Sequence, residues 1–461
     1  MTDTLMVGVS GVRGIVGKDL TPEIVTRWAA AFGRWAKPRT PRVVVGRDAR
    51  ESGPAFERAV IAGLGAAGCD VVTVGIVPTP TVQLAVEHHH AGGGIAITAS
   101  HNPIEWNALK FIGPDGIFLD GADGKQVQAL VQEDGGGWGG SGVGEVVTDS
   151  GAVQRHLDAV VKLPVLDVER IRKRRFPVAL DAVRGAGGPV MRALLERLGC
   201  RVTGINLETD GRFPRPPEPI PENLGELSAL VRRSGAAVGV AVDPDVDRLA
   251  IVDEHGAPIG EDYTLAFAVR AVLDGQQTTD TGKRTVVCNL STSLVVEDAA
   301  RECGAAVVRT PVGEVHVARA ILRLRAVIGG EGNGGVMYPA LHAGRDAPVA
   351  AALLLELLAR TEQRVSELVA GAPRYVIVKA KAARGTRNAE QRLTEVYAAL
   401  RARFADASVD TQDGLRLAWR DRWLHVRPSN TEPIIRLIAE APTRAAADAL
   451  VEEGRRLCAG S

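Results

Sequence analysis

Four short polar segments of the sequence carry residue types that can do chemistry on phosphate groups and metal ions. The first, ITASHNP at 97–103, places Ser100 where an apolar run stops. A rigid sheet would present that serine to a cleft, which suits a nucleophile or a phosphate carrier. The structural alternative is an N-cap serine followed by a helix-initiating Pro103.

The second segment, VAVDPDVDRLAIVD at 240–253, holds three carboxylates at alternate positions: Asp243, Asp245 and Asp247. They can converge on one hard cation when the chain bends, and Mg²⁺ fits because it keeps open positions for phosphate oxygens. An EF-hand is excluded because Arg248 stands where that loop needs glycine and strands flank the segment. The segment is also close to DxDx[TV], the motif of a haloacid-dehalogenase-type aspartyl nucleophile. Asp247, however, stands at the fifth position, where that motif has threonine or valine. A solvated acidic turn remains the structural alternative.

The other two segments suit the binding of hydroxyl and phosphate groups. GGEGNGGVMYP at 329–339 offers Glu331 and Asn333 among glycines that let a ligand approach the backbone, although a plain glycine-rich turn reads the same way. HVRPSNTEP at 425–433 supplies the Arg427 guanidinium inside a turn, which suits a phosphate nest or a capped type I turn. The small donors beside this arginine are Ser429, Asn430 and Thr431.

Short apolar strands alternating with helices precede three of these segments. The pattern predicts strands at 42–48, 70–76 and 94–100 and then recurs from 176 and from 284. Such alternation predicts parallel sheets covered on both faces. Ligands bind outside the carboxyl ends of such strands, so the three segments should meet in one cleft. The last ninety residues predict an α+β unit with an antiparallel sheet.

The predicted fold class is therefore α/β, with three similar α/β domains of mixed, mainly parallel sheets and a C-terminal α+β domain with an antiparallel sheet, around one central cleft. We place the domains at residues 1–148, 149–255, 256–371 and 372–461. The glycine cluster at 133–145 suits a flexible loop. The proline-rich run Phe213–Pro221 excludes helix and central strand.

The composition limits the classes of partner and the cellular compartment that we expect for this protein. The 461 residues include 55 basic and 55 acidic side chains, so we expect neither a nucleic-acid partner nor a membrane partner. Five cysteines without a CxxC indicate a reduced compartment. We find no signal peptide and no apolar run of membrane-spanning length. The sequence predicts a cytoplasmic, multidomain protein, and we expect a monomer or weak homodimer.

Together and in this order, TASHNP, DPDVDR, GEGNGG and RPSNTEP resemble the α-D-phosphohexomutase superfamily. SGVRG near the start and GRDAR at 46–50 fit as well, so the resemblance spans essentially the whole chain. It implies an isomerase that moves phosphate between O1 and O6 of a hexose through a phosphoserine enzyme. It also implies Mg²⁺, a hexose 1,6-bisphosphate as activator and intermediate, and a small-molecule sugar phosphate as the partner.

The resemblance assigns roles by position. The implied catalytic residues are Ser100, which carries the phosphoryl group, Arg13, Arg248, and the acid/base candidates His101 and Lys110. The implied metal ligands are Ser100, through its phosphate, Asp243, Asp245 and Asp247. The implied substrate-binding residues are Glu331 and Asn333 for sugar hydroxyls, and Arg427, Ser429, Asn430 and Thr431 for the phosphate that is not transferred.

Two departures from the family pattern stand out. Gly335 takes the place of a histidine that ends the sugar loop in many members, in the form GExSGH, and we expect His342 to substitute as a base. NALK at 107–110 stands where the family commonly has NGxK, a mild change.

The GEGNGG form favours glucosamine phosphate slightly over glucose and mannose phosphates. A metal-dependent sugar phosphatase and a non-catalytic sugar-phosphate sensor are the alternatives from other classes.

Overall fold

The computed structural model describes residues 5–133, 144–275, 284–383, 389–429 and 434–459. Its strands form four sheets, three of them mixed and the last one antiparallel. The predicted fold class is confirmed.

The first sheet has seven strands in the order β1-β2-β6-β5-β3-β4-β7. Its centre is the apolar β3, whose valines are buried between helices on the two faces and which pairs in parallel with β4 and β5. Strands β1, β2 and β6 continue the sheet in antiparallel fashion. The strands are β1 Met6–Gly8, β2 Gly11–Ile15, β3 Arg42–Arg47, β4 Asp70–Ile76, β5 Gly93–Ile97, β6 Trp106–Ile112 and β7 Val146–Thr148. The helices are α1 Pro22–Ala36, α2 Gly53–Ala66, α3 Thr79–His88 and α4 Gly121–Gln132.

The second and third sheets repeat a smaller plan of three parallel strands and one antiparallel edge strand. Their orders are β11-β10-β8-β9 and β13-β12-β14-β15. The second unit contains α5 Ala152–Val161, α6 Val168–Arg174, β8 Pro177–Asp181, α7 Gly187–Arg197, β9 Arg201–Ile205, α8 Gly225–Ser234, β10 Val238–Val242 and β11 Leu249–Val252. The third contains α9 Asp262–Gly275, β12 Thr285–Asn289, α10 Leu294–Glu302, β13 Ala306–Thr310, α11 Glu314–Leu324, β14 Ile328–Glu331, β15 Gly335–Met337, α12 Ala347–Thr361 and α13 Val365–Ala370.

Each of the three polar segments lies in a hairpin, between a buried parallel strand and the antiparallel strand that returns beside it. The hairpins are β5–β6, β10–β11 and β14–β15. No helix begins at Pro103, so the N-cap reading of Ser100 is wrong: the chain turns and re-enters the sheet as β6. Hairpin tips stand beyond the sheet edge, which lets the loops of different domains touch.

The second and third domains share one hydrophobic core. Residues of both sheets pack against the same cluster, which includes nearly every side chain of α12. The fourth domain has a core of its own. Its elements are β16 Val376–Ala383, α14 Ala389–Arg403, β17 Ser408–Asp410, β18 Leu415–Ala418, β19 Trp423–Pro428, β20 Ile434–Ala441 and α15 Arg444–Ala459, with sheet order β16-β20-β19-β18-β17.

Across the described parts of the chain, no helix combines the length and the apolar character needed to span a bilayer.

Candidate functional site

Ser100 lies at the tip of the β5–β6 hairpin, where it reaches the second domain. Its backbone is in the left-handed region, with φ 49°, a conformation that costs a non-glycine residue about 1–3 kcal/mol. The hydroxyl of Thr98 accepts the Ser100 N–H at 2.9 Å and supports this turn. The Ser100 hydroxyl donates to Asp243 Oδ2 at 2.8 Å. Two of the four segments singled out in the sequence therefore meet directly.

The acidic loop is bent around Asp243. Asp243 Oδ1 accepts the backbone N–H groups of Asp247 and Arg248, each at 3.2 Å, and Val246 is left-handed with φ 61°. These bends bring the three aspartates into one buried cluster, with one oxygen of each within 4.8 Å of the others.

The donor set of this cluster fits a hard cation. Asp245 Oδ1 and Asp247 Oδ1 are buried, and neither has a hydrogen-bond partner among the described residues. Burial, followed by the charges of Asp247 and Asp245, raises the pKa of Asp243 well above its usual range. Carboxylate oxygens are the ligands that Mg²⁺ prefers, and a divalent cation would relieve the repulsion among these three.

Lys110, on β6, adds a positive charge to the acidic cluster. Its Nζ lies 2.7 Å from Asp245 Oδ2 and 3.7 Å from Asp247 Oδ2. Burial alone would lower the pKa of Lys110, but the two carboxylates outweigh burial and raise it. Asp245 also accepts the Thr79 hydroxyl at 2.8 Å, so two side chains of the first domain bind Asp245 in addition to the Ser100–Asp243 contact.

His101 and Arg248 face each other across a third residue, Glu218. Glu218 Oε1 lies 3.9 Å from His101 Nε2 and 3.6 Å from Arg248 Nη1. Burial, reinforced by the Arg248 charge, lowers the pKa of His101 to about 2. Glu218 belongs to the proline-rich run at 213–221, which contains no α-helix or strand but lies against the Ser100 loop and the acidic loop. Its role was not visible in the sequence, because only the fold brings it beside His101.

Arginines of the first and fourth domains approach each other in the cleft. Arg13, on β2, donates from Nη1 to Asn102 Oδ1 at 2.8 Å. Burial and then the charge of Arg436 lower the pKa of Arg13. Arg436 lies on β20 directly opposite Arg427 of β19. A group with several negative charges would bring these guanidinium groups together favourably.

The phosphate-type loop is described in part. Arg427 Nε and Nη1 are buried and have no hydrogen-bond partner among the residues that the structure describes, and Nη1 is 3.5 Å from Asp413 Oδ2. Ser429 is buried directly after β19. The predicted residues Asn430 and Thr431 lie outside the described residues.

Glu331 and Asn333 belong to the β14–β15 hairpin of the third domain. Glu331 is buried, accepts the Asn289 amide at 2.9 Å and receives a weaker 3.4 Å bond from Asn333. Burial would raise the pKa of Glu331, but the Arg345 guanidinium outweighs burial and lowers it. The charge of Glu331 also acts on Arg427, so the sugar-type and phosphate-type loops face the same space.

Arg50 is a further residue that sequence reasoning missed. It is fully buried, and its guanidinium holds the Ser100 loop by four backbone carbonyls. Those carbonyls are Ser100 at 2.6 Å, Asn102 at 2.7 Å, Pro103 at 2.7 Å and Trp106 at 2.9 Å. The GRDAR motif was the available signal, but nothing in the sequence shows what that arginine binds.

The structure does not bring His342 into the cleft as a free base. Its ring is buried, Nδ1 accepts the Gly344 N–H at 3.1 Å, and Nε2 binds Asp346 Oδ2 at 2.9 Å. The space beside Gly335 is instead taken by Arg345. This geometry therefore does not support His342 as the base that takes over from the histidine missing at position 335.

Comparison with known proteins defines the class. Four phosphoglucomutase/phosphomannomutase models match in chain order: alpha/beta/alpha domain I at residues 4–135, domain II at 154–256, domain III at 260–375 and the C-terminal domain at 378–457. The chain therefore belongs to the phosphoglucomutase/phosphomannomutase family, within the α-D-phosphohexomutase superfamily, and the resemblance is confirmed. The domain boundaries that we placed stay a prediction.

Individual relatives carry two kinds of name. A phosphoglucomutase/phosphomannomutase of Thermococcus kodakarensis is 39% identical, over 98% of this chain and 97% of its own. A probable phosphoglucosamine mutase of Methanopyrus kandleri is 38% identical, over 97% and 96%. A crystal structure of a phosphoglucomutase/phosphomannomutase family protein from Burkholderia thailandensis is 28% identical, with a TM-score of 0.84 over 98% and 97%. The chain is thus an isomerase of the phosphohexomutase type.

Proposed function

We propose that this chain interconverts the 1-phosphate and the 6-phosphate of a hexose by way of a phosphoryl group carried on Ser100. The observation that carries the proposal is the contact of Ser100 Oγ with Asp243, at the edge of a buried acidic cluster in which two oxygens accept no hydrogen bond from the described residues. A serine in this place can hold a phosphoryl group against a metal ion while its loop stays fixed.

The reaction has two phosphoryl transfers. In the first, a P–O bond forms to a hydroxyl of the hexose monophosphate as the bond to Ser100 Oγ breaks, and the hydroxyl proton passes to His101. Lys110, whose raised pKa keeps its amine protonated, is the candidate acid that returns a proton to the Ser100 oxygen. The product is a hexose 1,6-bisphosphate. After the sugar reverses its orientation, its other phosphoryl group returns to Ser100 and the isomeric monophosphate leaves.

The acidic cluster is the proposed metal site. Asp243, Asp245 and Asp247, with the phosphate on Ser100, would hold Mg²⁺, which neutralises charge on a phosphoryl group in transfer when it is bound. Lys110 supplies a fixed positive charge on the same face.

The rest of the cleft supplies binding and orientation. Arg13 and Arg248 lie beside the Ser100 loop and the acidic loop, where they can contact the transferring phosphate. Glu331 and Asn333 would bind sugar hydroxyls, and Arg427 with Ser429, Asn430 and Thr431 would clamp the other phosphate. Binding energy from such a remote clamp serves catalysis by holding the hydroxyl in line.

For the sugar, we keep a slight preference for glucosamine phosphate, with glucose and mannose phosphates as the alternative. Relatives with both kinds of name match at nearly equal identity, 39% and 38%, and so do not separate them. A metal-dependent sugar phosphatase is a more distant alternative, which would need water rather than a sugar hydroxyl at the phosphoryl group.

The test is ³¹P NMR of the purified protein with Mg²⁺ and a trace of hexose 1,6-bisphosphate, with glucose, mannose and glucosamine 1-phosphates offered separately. Conversion to a 6-phosphate supports a mutase, and the fastest sugar identifies the substrate. Release of inorganic phosphate at that rate would mean a phosphatase. Ser100→Ala should abolish conversion, whereas Ser234→Ala, the same change at an exposed helix end, should leave it intact.

A further inference from the structure

Gly335 lies where a side chain would collide with an arginine. It is the first residue of β15, directly opposite Glu331 in the sugar-loop hairpin. Its φ is not positive, so the backbone itself does not require glycine. A Cβ added there would lie 2.3 Å from Arg345 Cδ, 3.0 Å from Arg345 Cγ and 3.0 Å from Asn333 Oδ1, so its severe collision is with Arg345. The absence of a side chain at position 335 makes room for the Arg345 side chain.

Arg345 uses this room to join loops of two domains. Its Nη2 donates to Asp247 Oδ2 at 2.6 Å, and its Nη1 donates to Glu331 Oε2 at 3.1 Å. Its Nε lies 2.9 Å from Glu314 Oε2, at the start of α11. The side chain is buried, so these interactions are little screened by solvent. One guanidinium thus fixes the spacing between the acidic loop and the sugar loop.

The next residue anchors the Arg345 backbone. Asp346 caps α12 by accepting the Val349 N–H at 2.9 Å. Its other oxygen binds His156 Nε2 at 2.8 Å and His342 Nε2 at 2.9 Å. These bonds hold Arg345 in place before any substrate arrives, so its planar fork is already directed at Asp247 and Glu331.

We propose that Arg345 is a positioning residue of the reaction, which sets the acidic loop against the sugar loop, and that Gly335 accommodates it. The proposal rests on the proposed mutase function. Without the guanidinium, two buried carboxylates of different domains lose their common partner and the loops can separate. A shift of about 1 Å at a reacting centre costs on the order of a hundredfold in rate.

A double-mutant cycle tests the pair. We compare wild type, Gly335→Ala, Arg345→Ala and the double variant, with Gly225→Ala as control because a Cβ there meets nothing within 4 Å. Arg345→Ala should lower kcat about a hundredfold with a smaller change in KM. Gly335→Ala should lower it at least about tenfold, and in the Arg345→Ala background it should have almost no further effect, because the collision is gone.

Hydrogen exchange supplies a readout that does not depend on turnover. In Gly335→Ala, exchange should quicken in residues 243–248 as well as in the substituted loop, because the displaced arginine releases both. Gly335→Ala keeps every charge, so it remains informative if Arg345→Ala does not fold. The proposal would be overturned if the fold loss in kcat of the double variant equalled the product of the two single losses, because the residues would then act independently. Faster exchange confined to residues 329–337 would overturn it as well. Wild-type protein that turns over no hexose phosphate would instead refute the proposed function.

Discussion

Replacing Arg50 with methionine should loosen the Ser100 loop far more than the rest of the protein. The substitution removes four hydrogen bonds to carbonyls of that loop and the ion pair with Asp48 at 3.1 Å. Net hydrogen-bond contributions are about 0.5–1.5 kcal/mol each, so the four carbonyl bonds account for about 2–6 kcal/mol. A buried carboxylate left alone costs about 3–5 kcal/mol.

These terms overlap, since Asp48 can take up a proton once its partner is gone. Burial already raises the pKa of Asp48. We therefore expect a total loss of about 3–6 kcal/mol in the free energy that closes the loop, and partial recovery in Asp48→Asn/Arg50→Met. Because Ser100 would move with its loop, turnover should fall about a hundredfold or more.

The assay pairs hydrogen exchange of residues 98–107 with the rate of hexose phosphate conversion. Arg212→Met is the matched control, because Arg212 is exposed and its guanidinium makes one ion pair, with Glu51 at 3.1 Å. Its effect should stay within about 0.5 kcal/mol. Unchanged exchange in the Ser100 loop of Arg50→Met, with a conversion rate within threefold of wild type, would show that Arg50 does not hold this loop in place.

Three further predictions concern groups outside the catalytic cluster. Burial raises the pKa of Asp262 to about 8, whereas the same carboxyl in the unfolded chain releases its proton near pH 4. Between about pH 4 and pH 8 the folded protein therefore binds one more proton than the unfolded chain, and its stability should fall as the pH rises. The drop in Tm from pH 6 to pH 9 should shrink in Asp262→Asn; an equal drop would contradict this. Glu440 of the fourth domain accepts Leu294 N at 2.9 Å and Trp423 Nε1 at 2.6 Å, so Glu440→Ala should lose about 3 kcal/mol, seen as a lower urea midpoint, and an unchanged midpoint would count against it. Burial raises the pKa of Cys200 to about 12, so this thiol should resist a disulfide reagent at pH 8 until the protein is unfolded; rapid native labelling would show the thiol to be accessible.

The sequence anticipated the parts of the fold that depend on local pattern. The buried strands β3, β5 and β10 have the apolar runs that parallel strands require, and each was expected close to where it lies. A strand after the acidic loop was also expected, and β11 is the apolar run LAIV. The returning strand β6 was missed, because it follows a polar loop and contains Asn107 and Lys110. Pairing with its neighbours, rather than composition, makes β6 a strand.

The candidate site shows the same division. Ser100 and the three aspartates stand in distinctive motifs, and the structure brings them into contact. Arg50 and Arg345 were not identified, because their positions near the site depend on contacts between residues distant in sequence. His342 was chosen for its residue type, yet its ring serves to hold Asp346. No fixed spacing in the sequence identifies a side chain whose role is to bridge two loops.

Intact mass spectrometry with peptide mapping shows whether Ser100 carries a phosphoryl group that exchanges with the substrate, as proposed above. The protein would be incubated with Mg²⁺ and glucose 1,6-bisphosphate, freed of excess reagent, and then mixed with a hexose 6-phosphate. We predict a mass gain of one phosphoryl group on the peptide containing Ser100, its loss on addition of the monophosphate with formation of a bisphosphate, and no gain in Ser100→Ala. Phosphate on another residue, or a phosphoserine that the monophosphate does not discharge, would contradict the account.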